Sequence, residues 1–149
     1  MNYEFIGHYR HSIDSNGRLM VPKKFRQSVN GELLSQFYMT RGLDGCLYLF
    51  PPDEWKKFQS KIYENPVTNN NDRVLKRFFF YNAVTVKTDS MGRVTIPQHL
   101  KDYASLQDEV ILAGFVSHIE IWNLKRWEEF SQIMNDEEKV NQNLMELGF

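Results

Sequence analysis

The sequence has one cysteine, almost no net charge and no long apolar run, and each lack excludes something. Cys46 alone can close no internal disulfide, which suits a reducing compartment and rules out zinc sites built on several cysteines. No stretch approaches the roughly 18 apolar residues of a membrane-spanning helix. The opening Met1-Asn2-Tyr3-Glu4 lacks the basic-then-apolar order of a secretory signal, so a cytoplasmic place and no membrane partner are expected. His8, His11, His99 and His118 form no HExxH and no paired metal-ligand spacing, so each reads as a surface or turn residue. No phosphate-cradling glycine loop appears, because Gly17 and Gly92 stand alone and turn the chain. The expectation is no metal, no cofactor and no small-molecule substrate.

Lys and Arg number 18 against 19 Asp and Glu, a net charge of −1, too balanced for a protein that coats itself in nucleic acid. The balance hides an asymmetry. Residues 1–30 carry Arg10, Arg18, Lys23, Lys24 and Arg26 against Glu4 and Asp14, whereas residues 128–149 carry six acids against Lys139. An anionic partner is expected at the N-terminal end.

What the chain does have is aromatic mass: 11 Phe, 7 Tyr and 3 Trp among 149 residues. At this length a compact chain buries about 70% of its unfolded surface, so one sizeable core is expected and disorder as the main state is excluded.

Laid on itself, the chain repeats. Ile13-Asp14-Ser15-Asn16-Gly17-Arg18-Leu19-Met20-Val21-Pro22 matches Thr88-Asp89-Ser90-Met91-Gly92-Arg93-Val94-Thr95-Ile96-Pro97 at an offset of 75. Further on, Gly42, Leu47, Leu49, Phe50, Trp55 and Phe58 align with Gly114, Ile119, Ile121, Trp122, Trp127 and Phe130 at an offset of 72. Two copies point to a single pseudo-twofold domain over residues 1–149, not to a solenoid.

Each copy predicts the same elements. An extended segment (Phe5 to Ile13; Phe80 to Thr88) enters Asp-Ser-x-Gly-Arg, a run of turn formers, and leaves as a short apolar strand, which reads as a hairpin with a polar tip. Pro22 and Pro97 then start short helices, with Phe25 and Val29 or Leu100 and Ala104 at i, i+4. A second hairpin follows, Phe37 to Thr40 with Leu47 to Phe50, and Val110 to Leu112 with Ile119 to Trp122. A helix closes each copy, its stripe formed by Trp55, Phe58 and Ile62, or by Trp127, Phe130 and Met134. Between the copies, Asn65-Pro66 and Asn69-Asn70-Asn71 mark a loop, and Asp72 is placed to cap a helix carrying Val74, Leu75, Phe78 and Phe79. Residues 131–149 read as an acidic C-terminal helix with Val140, Leu144 and Leu147 on one face. The run Phe78-Phe79-Phe80-Tyr81 offers more apolar surface than one helix face hides, so subunit interfaces are its expected destination.

Two copies of Asp-x-x-x-Arg between strands, each followed by Pro and a short helix, resemble the AbrB-type swapped-hairpin module, and two such modules in one chain resemble the MraZ family. Phe5-Ile6-Gly7, Gly45-Cys46-Leu47 and Arg73 with Arg77-Phe78-Phe79 belong to the likeness, which runs from about Tyr3 to Phe130. It implies an α+β fold: a pseudo-twofold, β barrel-like core of two interleaved AbrB-type repeats, residues 5–58 and 80–130, with peripheral helices. It also implies a nucleoid-associated transcriptional regulator, not an enzyme. Such a protein assembles as a homo-oligomeric ring and binds double-stranded DNA through its Asp-x-x-x-Arg loops. Its targets are direct repeats ahead of its own cell-division and cell-wall gene cluster. Asn16 stands where similar proteins often carry Lys, which removes one phosphate contact.

The loop residues Asp14, Ser15, Asn16 and Arg18, and their counterparts Asp89 and Arg93, allow two readings. Asp bonding turn amides and pairing with Arg braces the loop. Arg at a protruding tip suits bidentate contact with guanine or phosphate. Both can hold, and the copies need not share a role: Arg18 lies among Arg10, His11, Lys23, Lys24 and Arg26, whereas Arg93 has only Lys87, His99 and Lys101 nearby. Lys23 and Lys24 read as phosphate anchors or as ordinary solvated lysines. Two other classes stay open: a partner-binding, antitoxin-like ring docking through its acidic tail, and a small barrel enzyme using Cys46 or a histidine. For Cys46, at the start of an apolar run, a buried small hydrophobe is the simpler reading.

Overall fold

The computed structural model describes residues 3–64 and 70–149. The first copy runs β1 (His8–Ser12), β2 (Arg18–Met20), β3 (Gln36–Arg41), β4 (Leu47–Phe50) and α1 (Pro52–Glu64), and α2 (Asn70–Phe80) leads to the second. The second runs β5 (Val84–Lys87), β6 (Arg93–Thr95), α3 (Gln98–Ala104), β7 (Glu109–Gly114), β8 (Ile119–Asn123) and α4 (Leu124–Met134), followed by α5 (Glu137–Glu146). The fold is α+β. Part of the expected loop between the copies, residues 65–69, lies outside the described residues.

Six strands form one antiparallel sheet in the order β1-β7-β8-β4-β3-β5, and β2 pairs with β6 in a separate ribbon. Exchanging the copies reverses this order without changing it, so the pairing has twofold symmetry with β4 and β8 at the centre. Every strand of the first copy has its only partner (β1, β2) or one of its two (β3, β4) in the second. The pairing does not close into a barrel: β1 and β5 are free ends of the six-stranded sheet.

Strand alternation divides the apolar residues between the two faces of the sheet. Phe37, Met39, Leu47, Leu49, Val110, Leu112, Ile119 and Ile121 point to one side and meet Leu19, Val21, Val94 and Ile96 from the ribbon and its exits, together with Phe25 and Leu100. On the other side Ile111, Ala113, Trp122 and Cys46 lie under Trp127 and Phe130 of α4, and Trp55 of α1 stacks on Tyr38. The ribbon thus lids one face and the long helices cover the other.

Several local expectations are corrected. The Asp-Ser-x-Gly-Arg segments do not join two paired strands: after the Ile13–Leu19 bridge, β1 goes to the large sheet and β2 to the ribbon. Phe80 ends α2 instead of opening a strand, and Asp72 lies in the first turn of α2, not before it. After Pro22 the chain makes only a 3₁₀ turn, Lys23–Arg26, so Val29 is 58% exposed, while Leu100 and Ala104 are both buried in α3. Phe78, Phe79 and Phe80 pack on Tyr103, Phe58 and Trp55 within the chain, and only Tyr81 of that run is left in solvent. Met134 is exposed at the end of α4. Among the described residues no helix is long and apolar enough to cross a membrane.

Candidate functional site

Each Asp-Ser-x-Gly-Arg loop is built by its own side chains. Asp14 Oδ1 accepts from the backbone N–H groups of Asn16 and Arg18, both at 2.9 Å, and Arg18 Nε donates to Asp14 Oδ2 at 2.8 Å. The turn is closed by Gly17 N–H to Asp14 O at 3.0 Å and Asp14 N–H to Arg18 O at 3.0 Å. The second loop repeats this: Asp89 Oδ1 accepts from Met91 and Arg93 at 2.9 Å, and Arg93 Nε reaches Asp89 Oδ2 at 2.8 Å. Gly17 at φ +75° and Gly92 at φ +83° supply the left-handed residue that a type I turn followed by a bulge requires. The backbone N–H of Arg18 or Arg93, more than any other group, holds the Asp14 and Asp89 carboxyls below the usual carboxylate range, and the guanidinium adds to it.

The ribbon joins the two loops. Arg18 pairs with Thr95 and Met20 with Arg93, so with three residues per strand the tips stand one at each end of a very short platform. Leu19 and Val94 turn into the core, and by alternation Arg18, Met20, Arg93 and Thr95 face away from it. Arg93 Nη1 lies 3.8 Å from Asp14 Oδ2, across the pseudo-twofold axis. Both braces use Nε. Arg18 therefore keeps two terminal Nη groups with no protein partner among the described residues. Ser15, Asn16, Ser90 and Met91 are exposed at the tips.

Two further cations belong to this surface and were not among the candidate residues. Arg26 donates from Nε to Val21 O at 2.8 Å and lies against Gly92, where a Cβ would meet its guanidinium at 2.5 Å. Lys101 lies against Gly17, where a Cβ would stand 3.1 Å from Nζ. Each copy lends one cation to the other copy's loop. The signal was in the sequence, since 26 and 101 differ by the same 75 that relates the loops.

The remaining candidates separate. Lys23 and Lys24 are exposed just beyond β2, where the second copy has Gln98 and His99, so the first end is the more basic. Arg10 is not brought to the ribbon: on β1 it faces the side opposite Tyr9 and pairs with Glu109, its Nε 3.2 Å from Oε1. His11 is half-buried on the Tyr9 side of β1.

The groups weighed for catalysis are placed differently. Cys46 is buried, its Sγ–H 3.3 Å from Leu43 O, and burial pushes the thiol far up, which keeps it from being a nucleophile. His118, expected at the surface, is buried between Tyr48, Phe50 and Phe115, and burial lowers it to about 4. Among the described residues no group of His, Cys, Asp and Glu is arranged to hold a metal.

A family model described as "MraZ protein, putative antitoxin-like" matches residues 5–78 and again 79–146. A Clostridium acetobutylicum protein named transcriptional regulator MraZ is 42% identical over 97% of this chain and 99% of its own length. One of the same name from Clostridium tetani is 40% identical over the same shares, and one from Halothermothrix orenii is 45% identical over 83% of each chain. These relatives are named for regulation, not for catalysis.

Proposed function

Since the chain belongs to the MraZ family, we propose that it is a sequence-specific DNA-binding regulator of transcription whose reading head is the β2–β6 ribbon. The observation that carries this is the division of labour within Arg18. Asp14 takes the Nε of Arg18, which fixes the guanidinium, and leaves the Nη pair to an outside acceptor. A two-stranded ribbon fits the major groove of B-DNA, where a held arginine fork can take guanine O6 and N7. Lys23, Lys24, Arg26 and Lys101 flank the tips and neutralise phosphates, His11, Ser15 and Asn16 are secondary to Arg18, and Arg10, held by Glu109 away from the ribbon, is left out of the contact.

One ribbon meets only a handful of phosphates and bases, so a single chain binds with micromolar-class affinity at physiological salt. Several identical ribbons in a ring make later contacts intramolecular, raising avidity roughly 10²–10⁴-fold. Rotation about a ring presents neighbouring ribbons in the same sense, so the operator holds direct repeats, about 10–10.5 base pairs or a multiple apart. Its place is upstream of the chain's own cell-division and cell-wall genes, in the cytoplasm at the nucleoid.

The test is an electrophoretic shift with the chain's own upstream DNA at two salt concentrations. Arg18→Ala is expected to cost about 1–3 kcal/mol of specific binding and to relax discrimination at one position, whereas Lys24→Ala weakens all sequences alike and lowers the salt slope by about one. Inserting five base pairs between repeats should abolish tight binding and inserting ten should partly restore it. A folded Arg18→Ala chain with unchanged operator affinity would remove the ribbon from the reading.

A further inference from the structure

Both matched repeats end in a helix, α2 in the first and α5 in the second, and only α2 is used within the chain. Phe79 packs edge-on against Phe58 with ring centroids 5.0 Å apart and stacks over Tyr48, while Phe80 meets Trp55 edge-on at 6.2 Å. Thr40 Oγ1 donates to Phe79 O at 2.6 Å. Under this cover Trp55 is 6% exposed.

The second half has the corresponding Trp and Phe, with His8 against Trp127 at 5.3 Å but no helix over them among the described residues. At the offset of 72, Trp55, Phe58 and Tyr48 become Trp127, Phe130 and Glu120, and Ala113 pairs with Glu120 across the strands as Thr40 does with Tyr48. Trp127 and Phe130 are only half-buried, Ile133 is 51% exposed, and a cleft lined by Trp122, Arg126, Glu129, Phe130 and Ile133 stays open beside them. Meanwhile α5 follows α4 after a two-residue junction, Asn135 and Asp136, and is exposed throughout, with Val140, Leu144, Met145 and Leu147 in solvent. Between α1 and α2 there are five residues, 65–69, enough chain to turn back onto α1.

We propose that α5 of a second copy of this chain docks on the open face of α4 and β8, antiparallel to α4 as α2 is to α1, so that neighbouring copies are joined by their C-terminal helices. The occupied half of the molecule identifies the occupant: the helix that closes a repeat covers the Trp and Phe of the helix before it. In the second repeat the closing helix leaves its own chain, and a neighbour is the source that supplies the same helix. An unmatched apolar face and an unmatched apolar helix are thereby satisfied together. This rests on the oligomer of the proposed function, and names the contact that builds it.

The full-length chain tests it without DNA. Cys46 is buried and unreactive, so introduced thiols report alone. A Leu144→Cys chain is mixed with a mass-tagged Glu129→Cys chain and oxidised; a disulfide between the two different chains is expected. No cross-link in the mixture, or one formed only within a chain carrying both cysteines at high dilution, would overturn the proposal. Light scattering on Leu144→Glu, checked for unchanged circular dichroism, should show a smaller assembly than the parent chain. A parent oligomer whose mass Leu144→Glu leaves unchanged overturns this inference alone, whereas a parent chain that is monomeric at micromolar concentration removes the proposed ring as well.

Discussion

Asp14 and Asp89 each satisfy two backbone amides and one guanidinium, so removing either carboxylate frees a loop and an arginine at once. Asp14→Ala is therefore expected to lower the melting temperature slightly and operator affinity strongly, measured by calorimetry and gel shift on the same preparation. Because both carboxyls titrate below the usual range, the stability they contribute is fully present above the ordinary carboxylate value and is lost only as pH falls through the lowered values. His118 loses stability in the same direction of pH, although here folding favours the neutral form. Its folded value of about 4 lies below the ordinary 6.5, so protons bind the unfolded chain first and stability falls as pH drops from 6.5 to about 4, by about 3 kcal/mol. Urea midpoints across that range should show the loss, and His118→Phe, which keeps a ring among Tyr48, Phe50 and Phe115, should abolish it. That Cys46 is an inert core residue was legible in its apolar run. The burial of His118 was not, since a lone histidine beside Ser117 and a turn carries no periodicity to place it.

The elements were legible where their hydrophobic pattern is local. The hairpins β3–β4 and β7–β8 and the helices α1 and α4 follow from alternation and from Trp-x-x-Phe spacing alone. The Asp-Ser-x-Gly-Arg segments show the limit: their turn chemistry was readable, but the strands leaving them part, in the first copy after the single Ile13–Leu19 bridge, because β2 and β6 bury Leu19 and Val94 by pairing with each other. The two glycines give this element its test. Alanine in place of Gly17 or Gly92 forces a Cβ into left-handed backbone at roughly 1–2 kcal/mol. At Gly92 it also displaces Arg26 from 2.5 Å, whereas at Gly17 the nearest atom is the mobile Lys101 Nζ at 3.1 Å. Gly92→Ala should thus lower the urea midpoint more than Gly17→Ala, an order that charge around the loops would not suggest.

At the scale of the whole molecule the sheet order makes the two repeats mutually dependent, and we read residues 1–149 as one pseudo-symmetric domain. Expressed alone, residues 1–64 leave β1 and β2 without partners, and residues 76–149 leave β5 and β6 without theirs. Neither half should melt cooperatively as a monomer, while mixing them should restore native-like circular dichroism; two independently stable halves would contradict this. The sequence by itself determined that the protein is built twice, that each copy holds an Asp-to-Arg turn, and that its aromatic residues lie on identifiable helix faces, because all of these are encoded by spacing along one stretch of chain. Which strands pair across the copies, that Arg26 and Lys101 each serve the opposite loop, and that Arg10 faces away from the ribbon were decided only by the tertiary structure. Those relations join residues 45 to 105 positions apart, and their physical cause is the burial of one shared core, which no local pattern contains.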